Sequence, residues 1–282
     1  MNYRKGLVYF IDVLGTKNSN FDELYKIANI FHNELGNTQN RHNPNAIGNR
    51  RVMGFSDCAY IIYSLKDEHL GNEETRIGYI YTSMYNTSIM MNIFTNSGFL
   101  CRGGVCYDDI YYETDRNVIF GPAVNQAYLL ESKHANVPRI LLDDKLADEI
   151  NLFDSLVKKA NPLAIQNGNI LMQDPSDGKY FLNYLNTFYQ HHEVGAGSCY
   201  LRLDELLKTS KENSNKTITA VEESLVQCEE NKKTSLQNIL NKHKWQIWYL
   251  TAAVAELNSA PPPFSEQELL AMFMSSKNAG DH

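Results

Sequence analysis

The 282-residue chain carries no excess of basic residues, no cysteine pair at metal-ligand spacing and no long run that is apolar throughout. Each absence excludes something. With 26 Lys plus Arg against 33 Asp plus Glu, the net charge is -7. That balance argues against nucleic acid as the main partner, because neutralising phosphates needs a basic face. The five cysteines, Cys58, Cys101, Cys106, Cys199 and Cys228, form no ligand cluster, and their odd number gives no disulfide framework. A reducing, cytoplasmic setting is expected. The first apolar run, Leu7 to Ile11, is short and ends at Asp12, so it does not read as a signal peptide.

One stretch lacks charge altogether. Between Ile77 and Cys101 there is no charged side chain, and the length alone would span a bilayer. Its load of Thr82, Ser83, Asn86, Thr87, Ser88, Asn92 and Thr95 argues against a membrane span. A neutral helix of this kind is expected to be buried on more than one side. The apolar fraction of 43% and charged fraction of 21% are those of a globular protein, and no internal repeat is visible.

What is present follows a clear pattern. Leu7–Ile11 reads as a buried strand, and Phe21, Leu24, Ile27, Ala28, Phe31 and Leu35 recur at helical spacing. RVMGFSDCAYIIY reads as two strands meeting at a Ser56-Asp57 turn. The neutral helix, about Glu73 to Ser97, is closed by Gly98, and FLCRGGVCY follows as a strand. NVIF is a short strand. Gly121-Pro122 opens a helix through Glu131, and PRILL is a further strand. Strand, helix, strand, strand, helix, strand is the split βαββαβ order of a ferredoxin-like α+β sandwich. Residues 1–145 form this unit. Residues 146–282 are expected to be a mostly helical C-terminal extension packed on it. A short helix from Asp143 to Phe153 crosses the boundary, and a hairpin around Pro175-Ser176-Asp177-Gly178 follows. From Tyr200 the chain reads as helical to about Leu257, with Lys208 to Lys216 as a solvated turn between helices.

Two aspartates occupy special places in this topology. Asp12 ends the first strand, and Asp57 sits at the tip of the hairpin beside it. Neighbouring strands lie about 4.8 Å apart, so carboxylates at matching levels can share divalent ions. Two such ions can activate an oxygen nucleophile and steady a leaving phosphate. The Gly15-Thr16-Lys17 turn offers backbone amides as an anion cradle, to which Lys17 adds a charge. Alone, each aspartate also suits a plain turn or cap. The residues by themselves leave the reaction class open.

Four blocks taken together resemble a known family. FIDVLG at Phe10–Gly15 and FSD at Phe55–Asp57 resemble the paired metal-binding motifs of the class III nucleotidyl cyclase catalytic domain. CRGGVC at Cys101–Cys106 resembles its central strand. FGPAVNQAYLLE at Phe120–Glu131 resembles its strand-to-helix motif. With Pro138-Arg139-Ile140, the set is similar to the bacterial pyrimidine cyclases of the Pycsar anti-phage systems, over about Leu7 to Leu142. The resemblance implies two Mg²⁺ or Mn²⁺ ions on Asp12, Asp57 and the Val13 carbonyl. It implies that the Thr16 and Lys17 amides hold the β- and γ-phosphates and that Asn125 orients the ribose. It further implies a twofold homodimer with the site at the interface, and a cyclic product acting on a separate cyclic-nucleotide-gated effector protein.

The departures from that family matter equally. Its transition-state arginine falls at Leu129 here, leaving Arg102 or Arg139 to supply the charge. Its adenine-reading lysine falls at Met53, and the acidic partner at Val118. Neither side chain can make those purine hydrogen bonds. Arg51 shares the strand face of Met53 and Phe55, as a base or phosphate contact or as a solvated hairpin arginine. The expectation is therefore a pyrimidine nucleotide cyclase, with UTP preferred over CTP. The alternative is an inactive cyclase-fold module that binds nucleotide or dimerises. His191-His192-Glu193 suits a metal site poorly, since adjacent residues do not share a face, and Trp245 with Trp248 suits a helical core.

Overall fold

The computed structural model describes residues 3–32, 46–113, 116, 118–160, 169–188, 193–196 and 199–259. His191 and His192 lie outside the described residues. The first half follows the order β1 (Arg4–Leu14), α1 (Phe21–Asn29), β2 (Gly48–Phe55), β3 (Cys58–Leu65), α2 (Glu73–Asn96), β4 (Leu100–Glu113), β5 (Val118–Phe120), α3 (Pro122–Leu129) and β6 (Ile140–Leu142). Then come α4 (Asp144–Ala160), β7 (Leu171–Gln173), β8 (Tyr180–Leu182), β9 (Glu193–Ala196), β10 (Cys199–Arg202), α5 (Leu203–Gln227) and α6 (Glu230–Ser259). The main sheet runs β2-β3-β1-β4-β6-β8-β7, with β5 paired to β4. The first four strands are antiparallel neighbours and β4 pairs β6 in parallel, so this is an α+β fold with a split βαββαβ core and a helical C-terminal region.

Strand alternation divides the two sheet faces. On β1, Leu7, Tyr9, Ile11 and Val13 enter the main core with α1, α2 and the C-terminal elements. Val8 and Phe10 point the other way, into a smaller core beneath α3 with Cys58, Ile62, Ala123, Val124 and Ala127. Asp12 continues that second series. Helix α3 can seat there because Gly104 has no side chain. A Cβ at Gly104 would lie 2.3 Å from the Ala127 carbonyl oxygen and 2.5 Å from Leu130 Cβ. The helix entry is fixed likewise at Gly121, with φ of 136° and a would-be Cβ 2.6 Å from the Asp109 carbonyl oxygen.

The neutral helix α2 is buried as its composition demands. Its hydroxyls bond within the helix, Thr87 to the Ser83 carbonyl (2.9 Å) and Ser88 to the Met84 carbonyl (2.9 Å). Ser83 also meets Tyr9 of β1 at 3.1 Å. Its second side is covered by the chain itself. The Asn92 side-chain amide donates to the Tyr184 carbonyl and to the Thr187 hydroxyl, both at 2.8 Å, and α5 packs alongside. The C-terminal elements therefore occupy the face of α2 that a partner subunit could have taken. No described helix is long and apolar enough to cross a membrane.

Two readings of the C-terminal part are corrected. The first helix there continues past Phe153 to Ala160. Lys208 to Lys216 is not a turn but the middle of α5, and the break between helices falls near Cys228. The polar composition misled because the residues facing α6 are small: Ser210 and Ser214 are buried and let α6 approach closely. Trp245 and Trp248 pack on Phe181, at ring-centroid distances of 5.3 Å and 6.4 Å.

Candidate functional site

Strand β1 places Asp12 one residue before its buried end, opposite Cys58 on β3 and Arg102 on β4. The β2–β3 hairpin turns at Ser56, a non-glycine residue at φ of 56°, and brings Asp57 alongside. The Val13 amide donates to the Asp57 carbonyl at 2.9 Å, tying the hairpin tip to β1. After Leu14 the chain breaks at Gly15, in the left-handed region at φ of 85°, into a single 3₁₀ turn over Thr16–Asn18. The Thr16 hydroxyl donates to the Asp57 carboxylate. Lys17 lies exposed on the same turn. Asp12, Asp57, Val13, Thr16 and Lys17 thus meet at one corner of the sheet.

Arg102 joins them. Its Nε donates to Asp12 Oδ2 at 3.3 Å and lies 2.6 Å from Glu131 Oε1. Glu131 follows α3 in a short π-turn and is only 3% exposed, and its Oε1 has no aligned hydrogen bond in spite of the ion pair. Burial dominates the electrostatics of the corner. Burial raises the Asp12 pKa, with Asp57 adding to the rise and Arg102 opposing it. Burial also raises Glu131, against Arg102. The Cys58 thiol is pushed up to about 12 by burial and by the field of Asp12, Asp57 and Glu131.

The donor set suits a hard cation. Asp12 and Asp57 offer carboxylate oxygens, and among the described residues no imidazole or thiolate joins them in a metal-binding group. Among the described residues, no group of three or more His, Cys, Asp or Glu is placed to hold an ion by itself. Mg²⁺ or Mn²⁺, which keep waters and substrate oxygens in their shells, fit a site with two protein carboxylates; a structural Zn²⁺ does not.

The remaining expected residues do not converge on this corner within one chain. Met53 lies opposite Tyr60 and packs on the core beneath α3. Arg51, opposite Ile62, stands roughly 13 Å along β2 from Phe55, and its Nε is buried without a hydrogen bond. Val118 pairs Glu113 at the far end of β4, roughly 35 Å of strand from Arg102. Asn125 is exposed on the outer side of α3, as is Leu129. Arg139 is corrected outright. It is 3% exposed and committed to Asp174 (2.6 Å) and Asp177 (2.5 Å), and Asp174 also accepts from Trp245 at 2.7 Å. It locks the β7–β8 hairpin to the sheet and to α6, so only Arg102 of the two arginines stands at the site.

One residue at the corner had no sequence signal. Lys242 of α6 is half-buried within reach of the fields of Asp12 and Arg102, and burial and Arg102 lower its pKa. Nothing in the pattern of α6 sets it apart from the neighbouring lysines, because only tertiary packing brings it here.

No family model matches the chain, and no curated protein matches it. Among solved structures, a bacterial light-regulated adenylyl cyclase aligns over 65% of this chain and 92% of that one, with a TM-score of 0.32 and 13% identity. At that distance the likeness decides nothing about activity. The topology and the corner described above stand on this chain's own residues.

Proposed function

We propose that this protein is a nucleotidyl cyclase that converts a pyrimidine nucleoside triphosphate, UTP before CTP, to its 3′,5′-cyclic monophosphate and pyrophosphate. The observation that carries the reading is the placement of Asp12 and Asp57. A strand end and the tip of the neighbouring hairpin bring two carboxylates together beside the Gly15–Thr16 turn. In this reading Asp12 and Asp57, with the Val13 carbonyl, hold two divalent ions. Such ions, when bound, lower the pKa of the ribose 3′-hydroxyl and offset the triphosphate charge. The turn amides hold the β- and γ-phosphates. The 3′-oxygen attacks the α-phosphorus, its proton departs to solvent, and the bond to pyrophosphate breaks. Arg102, held by Glu131, supplies fixed positive charge beside the reacting phosphate.

A twofold homodimer supports this chemistry. The ribose and base positions, Asn125, Met53, Val118 and Arg51, lie apart from Asp12 in one chain. A second copy facing the same side of the sheet could bring its own set to the first copy's aspartates. Phe55, Tyr128 and Leu129 on that side are 53%, 48% and 43% exposed, an apolar surface suited to such a contact. Met53 and Val118 leave a purine edge unpaired, which motivates the pyrimidine preference. A role as signal generator for a separate effector in anti-phage defence rests on the resemblance in sequence alone. The exposed Leu129 at the arginine position favours the second reading, an inactive nucleotide-binding module. Incubation with each of the four NTPs and Mn²⁺, with products identified by mass, separates the two. A cyclic pyrimidine product is expected; no product from any NTP would leave the module.

A further inference from the structure

Beside the Gly15–Thr16 turn the chain leaves a cleft of about 350 Å³. One wall is Gly15, Thr16 and Ser19. The other is the C-terminal helix α6, which contributes Lys242 and His243. Helix α6 is pinned on several sides of this point. His243 meets Ser214 at 3.3 Å, Lys244 pairs Glu222 at 3.0 Å, and Trp245 donates to Asp174 at 2.7 Å. The backbone at Lys242 is therefore held beside the cleft. It is half-buried, yet among the described residues it forms no ion pair and no hydrogen bond. Its neighbours Lys244, Lys232 and Lys233 all have carboxylate partners. The field of Asp12 reaches it from the corner, but Arg102 opposes that field, and a half-buried cation with no carboxylate in direct contact is costly unless an anion visits it. Glu23, the acidic side chain on this cleft, is turned to its own helix start, where it accepts from the Asn20 amide at 3.2 Å.

We infer that Lys242 is a phosphate-binding residue, and that the C-terminal helix completes the cleft that takes the terminal phosphates of a nucleoside triphosphate. The inference rests on the nucleotide reading of the Asp12 corner and adds to it a residue from the far end of the chain. A backbone-amide turn on one side and an ammonium carried by a pinned helix on the other is a recurrent way to grip a polyphosphate. It also gives the C-terminal extension a part in the chemistry besides covering α2.

The test uses the full chain and its Lys242→Ala and Lys242→Arg variants. Calorimetry measures binding of inorganic tripolyphosphate and of UMP, and thermal melts report folding. Loss of one charge-assisted contact should weaken tripolyphosphate binding in Lys242→Ala by roughly 10- to 100-fold, with UMP binding unchanged and Lys242→Arg largely restored. If Lys242 only held α6 down, the melt would fall and tripolyphosphate affinity would stay, which overturns the inference. So would a wild-type chain that does not bind tripolyphosphate. The two readings fail separately. Cyclic product from wild type with equal tripolyphosphate affinity in Lys242→Ala rejects Lys242 alone. Lys242-dependent tripolyphosphate binding without product from any NTP rejects the cyclase and supports the cleft.

Discussion

Arg102 stands directly across the β1–β4 ladder from Asp12, and its Nε donates to the Asp12 carboxylate at 3.3 Å. The attraction does not outweigh burial, so the Asp12 pKa is raised in the folded chain. The sign of the consequence follows. A raised carboxylate pKa contributes stability that is complete below the unfolded value, about 3.9, and is lost as pH rises through the folded value. At neutral pH the charged Asp12 therefore weakens the metal-free fold. Asp12→Asn should melt higher than wild type near pH 7 without divalent ions. The gap should close as pH falls below about 4. A variant less stable than wild type at pH 7 would show that the Arg102 contact outweighs burial.

Asp57→Asn tests the chemistry instead. The change keeps the hairpin shape and a partner for the Thr16 hydroxyl, but removes a full negative charge from the corner. If two ions are required, turnover should fall by roughly 10³-fold or more with the fold intact. Wild-type rates in a folded Asp57→Asn protein would reject the two-metal reading.

The two arginines set apart by the structure should respond differently. Arg102→Lys keeps a cation for Glu131 but not a planar group that can face two carboxylates at once. Folding should persist while turnover drops roughly tenfold or more. Arg139→Ala leaves Asp174, 2% exposed, without its counterion. The expected cost is about 3–5 kcal/mol of stability, read by denaturant unfolding, with the rate per folded molecule unchanged. A stable Arg139→Ala protein with a lost rate would return Arg139 to the site.

These contrasts show where sequence reasoning reached and where it stopped. The β1 run, the Ser56-Asp57 turn and the Gly121-Pro122 helix start are local patterns, and each stands where its residues indicated. Asp12 and Asp57 were legible because adjacent strands in this topology must bring them close. The neutral α2 was legible as doubly buried, but what covers it was not, since a partner subunit and the chain's own C-terminal elements demand the same side chains. Arg139 and Arg102 look alike in sequence, and only the packing of Asp174 separates them. Lys208 to Lys216 carried the composition of a loop because its inward residues are serines. Lys242 acquires meaning only when α6 folds back beside the Gly15–Thr16 turn that follows the first strand.

Gly104 gives the sharpest test of how α3 is held over the site. A methyl group there would meet the Ala127 carbonyl oxygen at 2.3 Å and Leu130 Cβ at 2.5 Å, contacts that backbone movement alone can relieve. The segment that would move carries Glu131, whose carboxylate holds Arg102 beside Asp12. Gly104→Ala should therefore do two things at once. Overpacking should lower stability by roughly 1–3 kcal/mol. In the fraction that stays folded, Arg102 should lose its alignment, and the turnover per folded molecule should fall as well. Gly71→Ala is the control: Gly71 has φ of 87° and an unobstructed Cβ position, so an alanine there brings local backbone strain but meets no neighbouring atom. Its stability should drop while its rate holds. Equal rates in the two variants, measured per folded molecule, would show that the seating of α3 on β4 does not govern Arg102.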